Sequence, residues 1–349
     1  MLLGGFLTKI LALKIIFSLS YGFFGVYAPL VKSNVKIQEV GPLLVELKKE
    51  KKEQAVKFNN LPLSLEKIRY PRKNTDNNFE EKISAKSFIV LDAETGKTLL
   101  ADDADAPRSI GSITKLVSAL VLVKNISDWN QDIIIEKGDW REGNNYVYPE
   151  ERIKARDLLS VSLIGSSNVA IMALARASGL TPEKFILSMN EEAKNLGILK
   201  SIFTEPTGLD VGNKSTAMDV ALILKKVLEN EEIKKIISVK NYVFQAKDAA
   251  GKIKGRRINS TNELFLANLQ NSEIKNILGA KTGYIEEAGY CFAAIFENKN
   301  KKRIIVVVLG AESSASRFSE ARALAEWVFK SYVWPGEDGF EKVTQEKTN

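Results

Sequence analysis

Two side chains that could do chemistry together, the hydroxyl of Ser112 and the amine of Lys115, stand at the start of an apolar stretch. Positions i and i+3 of a helix lie on one face, so a helix over residues 112–123 would point both side chains the same way. A neighbouring base can activate a serine hydroxyl as a nucleophile. The spacing alone also fits a helix cap beside a solvated lysine. Such pairs arise by chance in a lysine-rich chain, and this sequence has three others: Ser33 with Lys36, Ser64 with Lys67, and Ser272 with Lys275.

The residues around this pair favour the catalytic interpretation. Residues 116–121 are almost all apolar, which predicts a central helix and therefore a lysine that needs either a partner or a lowered pKa. Lowering the pKa from ~10.4 far enough to give a neutral amine at pH 7 costs on the order of 4 kcal/mol. The first turn of the helix would favour a negative oxygen at Ser112. Gly111 would allow a sharp entry into the helix and the close approach of a substrate.

Composition excludes several kinds of hydrolase. The 349 residues include no histidine, so a Ser-His-Asp triad, a Cys-His protease and a histidine-bearing zinc site are all ruled out. Cys291 is the single cysteine, so the chain has no internal disulfide and no cysteine cluster. The formal net charge of +7 suits an anionic polymer or a membrane surface. No nucleic-acid partner is predicted, because the lysines are not interleaved with aromatic residues.

Two further motifs carry polar groups suited to a cleft. Ser166 and Asn168 lie in a predicted loop between two helices, where a hydroxyl and an amide two residues apart can face the same side. Lys281, Thr282 and Gly283 end a predicted strand, where the amine and the hydroxyl could bind a carboxylate and the glycine would let backbone approach a substrate. Each motif is weak alone, since turns are rich in serine and asparagine and an edge strand can end in a lysine and a bulge glycine. Two other segments have the Ser-x-Asn form: 188–190 and 260–262.

Taken together, in this order, the three motifs form the constellation of penicillin-binding proteins and class A β-lactamases. Over residues 86–334 the chain resembles the serine D-alanyl-D-alanine carboxypeptidases, the low-molecular-mass penicillin-binding proteins. Segments such as TEPTGLD and KTGYIEEAGYCFAA extend the resemblance beyond the motifs. The chain departs from the family where Ile110 and Gly111 replace a frequent Pro-Ala, and where Ser167 and Val169 flank Asn168.

The resemblance implies an enzyme that removes the terminal D-alanine from peptidoglycan stem peptides and is inhibited by β-lactam antibiotics. Ser112 would be the acylated nucleophile, Lys115 its base and Ser166 a proton relay. This chemistry uses no metal and no cofactor. Histidine is not needed for it, because lysine is the base.

Substrate binding is also implied by the resemblance. Asn168 would hold the substrate amide, and Lys281 with Thr282 would engage the terminal carboxylate beside Gly283. The backbone N–H groups of Ser112 and Tyr284 would form the oxyanion hole. A cationic Lys281 would in addition help to lower the pKa of the lysine base by repulsion between like charges.

Two other functions stay open at this point. A class A-like β-lactamase needs a glutamate that activates the deacylating water, and Glu191 with Asn195 has a suitable spacing, although both fall inside a predicted helix. A catalytically inactive cell-wall-binding module would keep the fold without turnover. Release of D-alanine from a peptide separates the carboxypeptidase from both alternatives.

The elements that must position these residues predict an α+β fold. A hairpin over residues 87–103 opens the folded part, and apolar strands are predicted at 242–246, 277–282, 291–296 and 303–309. Helices are predicted at 112–123, 156–163, 169–177, from Pro182, at 218–228 and at 317–333. We expect a β-lactamase/transpeptidase-like architecture: an antiparallel sheet built from N- and C-terminal strands, with helices packed on it and a helical subdomain.

Domain organisation follows from shifts in composition. Residues 1–35 are predicted to be an N-terminal membrane anchor or signal segment, because residues 15–31 are uncharged and follow Lys9 and Lys14. Residues 36–84 read as a polar linker, 85–334 as the D,D-peptidase catalytic domain and 335–349 as a C-terminal tail. The expected location is the extracytoplasmic cell envelope, with attachment to the cytoplasmic membrane through the N-terminal segment.

Overall fold

The computed structural model of the protein describes residues 69–74 and 76–341. Numbered along this part of the chain, the α-helices are α1 (Lys115–Asn125), α2 (Ala155–Ile164), α3 (Asn168–Ala177), α4 (Pro182–Asn195), α5 (Ala217–Val227), α6 (Glu231–Ile237) and α7 (Ser314–Ser331). The strands are β1 (Arg72–Lys73), β2 (Ser87–Asp92), β3 (Thr98–Asp102), β4 (Arg108–Ser109), β5 (Asp132–Ile134), β6 (Arg152–Lys154), β7 (Lys214–Ser215), β8 (Asn241–Lys247), β9 (Ile253–Asn259), β10 (Ile274–Ile285), β11 (Gly289–Asn298), β12 (Arg303–Ala311) and β13 (Tyr332–Val333). Short 3-10 helices lie at Gly111–Thr114, Lys137–Asp139 and Glu263–Leu266.

A five-stranded antiparallel sheet in the order β10-β11-β12-β2-β3 forms the centre of the fold. It joins strands from both ends of the described chain, which confirms the predicted α+β architecture. The strand β12 lies in the middle of the sheet, and after the exposed Arg303 it is apolar because both of its faces are covered. Val306 and Val308 pack into one core, whereas Ile305 and Val307 pack into the other, as the two-residue period of a strand requires.

Helices cover both faces of this sheet. On one face α7 presents the apolar stripe that the sequence predicts, and Leu324 and Val328 of that stripe pack with Phe292 of β11. On the other face α1 and α5 share a core with β2, β11 and β12. The strand β10 is left at an edge of the sheet, next to the segment that leads into α1. That edge is where the serine and lysine motifs meet.

A second, four-stranded sheet has the order β5-β6-β8-β9. The predicted strand at residues 242–246 falls in β8, but it belongs to this sheet rather than to the central one. Its partner β9 was missed by the sequence analysis because its side chains are mostly exposed and polar, so no apolar alternation marks it. The helix α6 was missed as well. Thr216 caps α5, which begins at Ala217, one residue before the predicted start at 218.

The described residues of the predicted polar linker, 36–84, pack against the rest of the described chain. The strand β1 pairs with β13. The ring of Phe79 meets that of Trp327 edge to face, with ring centroids 5.8 Å apart. The hydroxyl and backbone N–H of Ser84 both donate to the carboxylate of Glu320 on α7. These contacts join a segment that looks polar in sequence to the last helix, and such pairings between distant residues leave no local signal.

The predicted C-terminal tail, 335–349, also packs against the fold in its described portion. Trp334 donates from Nε1 to Oδ1 of Asp92 at 2.7 Å, and the backbone N–H of Trp334 donates to the carboxylate of Glu337. The side chain of Phe340 is buried. Residues 335–341 therefore belong to the folded unit.

None of the helices in the described residues combines the length and the apolar character needed to cross a bilayer. The segment for which an anchor is predicted, residues 15–31, lies outside the described residues.

Candidate active site

The amine of Lys115 meets the hydroxyl of Ser112 where a 3-10 turn passes directly into α1. Nζ of Lys115 lies 2.7 Å from Oγ of Ser112. The same amine donates to Oδ1 of Asn168 at 2.6 Å and to the backbone carbonyl of Thr207 at 2.7 Å. A neutral amine has two N–H bonds and one lone pair. Since the two carbonyl-type oxygens can only accept, they take both hydrogens and leave the lone pair for the hydroxyl of Ser112.

The environment of Lys115 favours this neutral form. The side chain is completely buried, and burial lowers its pKa from 10.5 to about 7, while the carboxylate of Glu205 raises it in part. The central helix predicted such a lowering. Desolvation is the main cause of the lowered pKa, and the repulsion by Lys281 that was expected to help does not contribute to it in the empty site.

The loop between α2 and α3 brings the second motif to the same place. The backbone of Ser166 has a φ of 60°, in the left-handed region that a residue with a Cβ seldom adopts. Such strain is typical of functional sites. Ser167 instead caps α3 by accepting from the N–H of Ala170, so its hydroxyl serves the helix. The amide of Asn168 is nearly fully buried and donates to the carbonyl of Glu142.

The edge strand β10 supplies the third motif. Nζ of Lys281 donates to Oγ of Ser166 at 2.8 Å and to the carbonyl of Thr282 at 2.9 Å. Burial lowers the pKa of Lys281 well below its usual value, and repulsion from Lys115 and Arg317 lowers it further. The two lysine amines therefore share one buried site, in which a charged Lys115 disfavours the charged form of Lys281.

Glycines allow β10 to lie directly against the segment that carries Ser112. A Cβ on Gly283 would lie 2.1 Å from the carbonyl oxygen of Ile110, and a Cβ on Gly111 would lie 2.6 Å from the backbone N of Tyr284. Gly111 also has a φ of +54°, as the predicted sharp entry requires. Gly283 was expected to let backbone approach a substrate, but in the empty site it allows β10 to approach the backbone of Ile110.

A cleft of about 540 Å³ opens over this junction. Six of the eight residues predicted from the sequence line it: Ser112, Ser166, Asn168, Thr282, Gly283 and Tyr284. Lys115 and Lys281 are buried behind these residues, at 0% and 1% exposure. The structure therefore brings all eight residues together at one site, with two amines behind an open cleft that a peptide end could enter.

The residues of the competing motifs lie elsewhere. Ser272 donates to the carboxylate of Glu326, and Lys275 donates to the backbone carbonyl of Ser272, so this amine does not face the hydroxyl. The other two Ser-x-x-Lys pairs both lie outside the described residues. Glu191 and Asn195, which fit the spacing of a β-lactamase, are exposed on α4 and do not line the cleft.

Several residues of the site were not identified from the sequence. Oγ1 of Thr261 lies 2.6 Å from Oγ1 of Thr282, although the 260–262 segment had counted only as a chance Ser-x-Asn match. Arg317 of α7 lines the cleft and donates to the carbonyl of Gly283 at 3.3 Å. Thr207 and Glu205 belong to the TEPTGLD segment, which marked the resemblance but suggested no role. Only the tertiary structure shows that these residues surround the motifs.

Comparison with known proteins gives one consistent family. The family model described as D-alanyl-D-alanine carboxypeptidase matches residues 73–313. A D-alanyl-D-alanine endopeptidase of Haemophilus influenzae is 33% identical over 246 residues, which cover 69% of this chain and 81% of the relative. The D-alanyl-D-alanine carboxypeptidases DacF of Bacillus subtilis and DacC of Escherichia coli are 29% and 30% identical, over 71% and 72% of this chain. The chain spans 63% and 62% of the length of these two carboxypeptidases.

Solved structures agree with the fold. A DD-transpeptidase of Streptomyces superposes with a TM-score of 0.66 at 26% identity, covering 72% of this chain and 99% of the transpeptidase. A D-alanyl-D-alanine carboxypeptidase of Mycobacterium tuberculosis gives a TM-score of 0.65 at 24% identity, covering 76% of this chain and 97% of that protein. At this identity the second likeness shows the fold alone.

Proposed function

The chain belongs to the D-alanyl-D-alanine carboxypeptidase family, and from this premise we propose that it removes the terminal D-alanine of peptidoglycan stem peptides through an acyl-enzyme on Ser112. The observation that carries the proposal is the position of the buried Lys115 amine, 2.7 Å from Oγ of Ser112, with its other two contacts made to acceptors. That arrangement supports a neutral amine as the base for a serine nucleophile.

Acylation would begin with transfer of the hydroxyl proton of Ser112 to Nζ of Lys115. The Oγ atom then attacks the carbonyl carbon of the penultimate D-alanine, and the backbone N–H groups of Ser112 and Tyr284 receive the charge of the tetrahedral oxyanion. The bond from that carbon to the nitrogen of the last D-alanine breaks. The leaving nitrogen receives the proton from Lys115, for which the hydroxyl of Ser166, a residue that lines the same cleft, would serve as the relay.

Deacylation would repeat the step with water. Lys115, neutral again, accepts a proton from a water molecule that attacks the ester carbon, and the ester bond to Oγ of Ser112 breaks. The proton returns to Oγ, and the shortened peptide leaves as a carboxylic acid. Asn168 would hold the peptide amide with the amide hydrogen that Glu142 does not take.

The free carboxylate of the terminal D-alanine would select chain ends over internal bonds. Lys281, Thr282 and the fixed positive charge of Arg317 offer it donors at one end of the cleft. In the empty site burial and repulsion disfavour the charged form of Lys281. A bound carboxylate would favour that charged form, and the charge would in turn keep Lys115 neutral for the attack.

β-Lactams would acylate the same serine and block the water, because their ring-opened fragment stays tethered. Three carboxylates line the cleft within the described part of the chain, those of Glu142, Glu286 and Glu287, and all three side chains are exposed. An exposed rim carboxylate is poorly suited to the deacylating role that a class A β-lactamase requires. These features support slow turnover of β-lactams.

The experiment that tests this function follows D-alanine release from a pentapeptide and nitrocefin hydrolysis on the same preparation. We expect steady release of D-alanine, covalent labelling by fluorescent penicillin and nitrocefin turnover far slower than peptide turnover. Rapid nitrocefin hydrolysis without D-alanine release would favour the β-lactamase. If the protein showed no D-alanine release and no labelling, an inactive cell-wall-binding module would be favoured.

Replacement of Lys281 by alanine is expected to lower kcat/KM for substrates that carry a terminal carboxylate. Loss of a charged hydrogen bond predicts a fall in kcat/KM of about 10- to 100-fold for the peptide acid. The C-terminal amide of the same peptide should lose much less, since it presents no carboxylate. Steady-state kinetics on the two peptides measure the ratio, and Lys275→Ala on the same strand is the matched control. An equal loss on acid and amide would contradict a role in carboxylate binding.

A peptidoglycan substrate would place the catalytic domain on the extracytoplasmic side of the cell envelope. Attachment to the cytoplasmic membrane through residues 15–31, or cleavage of that segment as a signal peptide, stays a prediction from the sequence.

A further inference from the structure

The carboxylate of Glu205 accepts several hydrogen bonds from N–H groups of its own loop, residues 204–213. One oxygen accepts from the backbone N–H of Thr207 at 2.7 Å. The other accepts from the backbone N–H of Gly208 and from the side-chain amide of Asn213. This carboxylate does not line the cleft, and its acceptor sites are directed at the loop. It is therefore placed to shape the loop rather than to act on a substrate.

The two peptide groups held in this way point their carbonyls at α1. In a trans peptide the C=O and the following N–H face opposite sides. The N–H of Thr207 binds Glu205, and the carbonyl of Pro206 in the same peptide accepts from the hydroxyl of Ser118 at 2.7 Å. The N–H of Gly208 also binds Glu205, and the carbonyl of Thr207 accepts from Lys115 at 2.7 Å. Each peptide is thus held between Glu205 on one side and an α1 side chain on the other.

The loop also touches the segment that carries Ser112. Gly208 has a φ of +86°, and a Cβ there would lie 2.0 Å from the carbonyl oxygen of Gly111. A small rotation of the peptide between Thr207 and Gly208 would therefore move both the acceptor of Lys115 and the backbone beside Ser112. Hydrogen bonding of an N–H to a carboxylate also makes the carbonyl of the same peptide a stronger acceptor.

We propose that Glu205 is a positioning residue that fixes the Thr207 carbonyl, and through it directs the Lys115 amine toward Ser112. The inference rests on the proposed function, because the direction of the amine matters only if Lys115 is the base. Glu205 acts through another residue and does not itself touch the reacting atoms.

Glu205 has a second effect on the same amine through its charge. Among the described residues, the charged groups that act on this site are Glu205 from the loop, Lys281 from β10 and, behind Lys281, Arg317 from α7. Of these three groups only the Glu205 carboxylate is negatively charged. It raises the pKa of Lys115, whereas burial lowers it. Removing its charge should move the titration of Lys115 to lower pH, which loss of a purely structural contact would not do.

The test uses the full chain with Glu205→Gln, Glu205→Asp and, as a matched loop control, Asp210→Asn. The rate of acylation by fluorescent penicillin is measured from pH 5 to 9, and the Lys115 side chain is titrated by carbon-13 NMR in the same proteins. For Glu205→Gln we expect a plateau rate about 10- to 100-fold lower, since an amide nitrogen replaces an oxygen that accepts N–H groups. We also expect the Lys115 midpoint to move to lower pH.

The other variants separate charge from shape. Glu205→Asp keeps the charge but reaches less far, so its plateau should fall while the midpoint stays closer to the wild-type value than that of Glu205→Gln. Asp210→Asn should match the wild type in both the plateau rate of acylation and the titration midpoint of Lys115. If Glu205→Gln is partly unfolded, the midpoint is still read from the folded fraction, and the plateau is corrected by titration of active sites.

Two results would overturn the inference: an unchanged plateau and midpoint in Glu205→Gln, or a lower plateau with an unmoved midpoint. Failure of the proposed function would look different, because the wild type itself would resist labelling. The NMR titrations would still show whether Glu205 acts on Lys115.

Discussion

Replacement of Ser112 by alanine is expected to abolish D-alanine release and covalent labelling by penicillin. Removal of a serine nucleophile predicts a fall in kcat of about 10⁴-fold or more, because the rest of the site cannot supply the attacking oxygen. The fold should be retained, since Oγ of Ser112 contacts Lys115 at the open cleft. Rates of D-alanine release, with circular dichroism as a check on folding, measure the effect.

The matched control for this prediction is Ser272→Ala. Ser272 has the same Ser-x-x-Lys spacing but donates to Glu326, and its lysine binds a backbone carbonyl. This variant should release D-alanine at close to the wild-type rate. If Ser112→Ala kept substantial activity, or if Ser272→Ala lost it in a folded protein, the assignment of the nucleophile would be wrong.

Replacement of Lys115 by methionine is expected to stop acylation while leaving a side chain of similar length in the core. Loss of a general base predicts a rate lower by about 10²- to 10⁴-fold. In the wild type, acylation should rise with pH through about 7, because the ammonium form that dominates at lower pH has no lone pair for the proton of Ser112. The rate of labelling by penicillin as a function of pH measures both effects.

Lys275→Met is the control for the lysine, because it removes an exposed amine at the same spacing from a serine. It should keep the wild-type pH profile. A Lys115→Met variant that is still acylated at the wild-type rate would exclude Lys115 as the base. A wild-type profile that stays flat from pH 5 to 9 would contradict a base with a pKa near 7.

The sequence predicts those parts of the fold and site that repeat a local pattern. The strand β12 could be recognised because both of its faces are buried after Arg303, so every residue from 304 to 309 is apolar. The apolar residues after Lys115 indicated a buried amine, and burial is the main cause of its lowered pKa. The three motifs supplied seven of the eight candidate site residues because each motif is short and its spacing is set by one helix, loop or strand end, and the resemblance added Tyr284.

The remaining features depend on contacts between distant residues. Thr261 bonds to Thr282, and Arg317 reaches Gly283 from the last helix, but neither contact follows from a local spacing. The sequence marked Glu205 only as part of the TEPTGLD segment. No role could be predicted for it, because its effect on Lys115 passes through a peptide group of the loop. The packing of residues 76–84 on α7 was hidden in the same way, because a polar stretch can dock through a few pairs such as Phe79 with Trp327.

The most direct test of the account is to locate the covalent adduct by peptide mass mapping after the wild-type protein has reacted with penicillin. We expect one adduct per chain, on the peptide that contains Ser112, with the mass of the intact penicillin because ring opening loses no atoms. An adduct on another serine, such as Ser272, or D-alanine release from a protein in which no acyl-enzyme can be trapped, would contradict it.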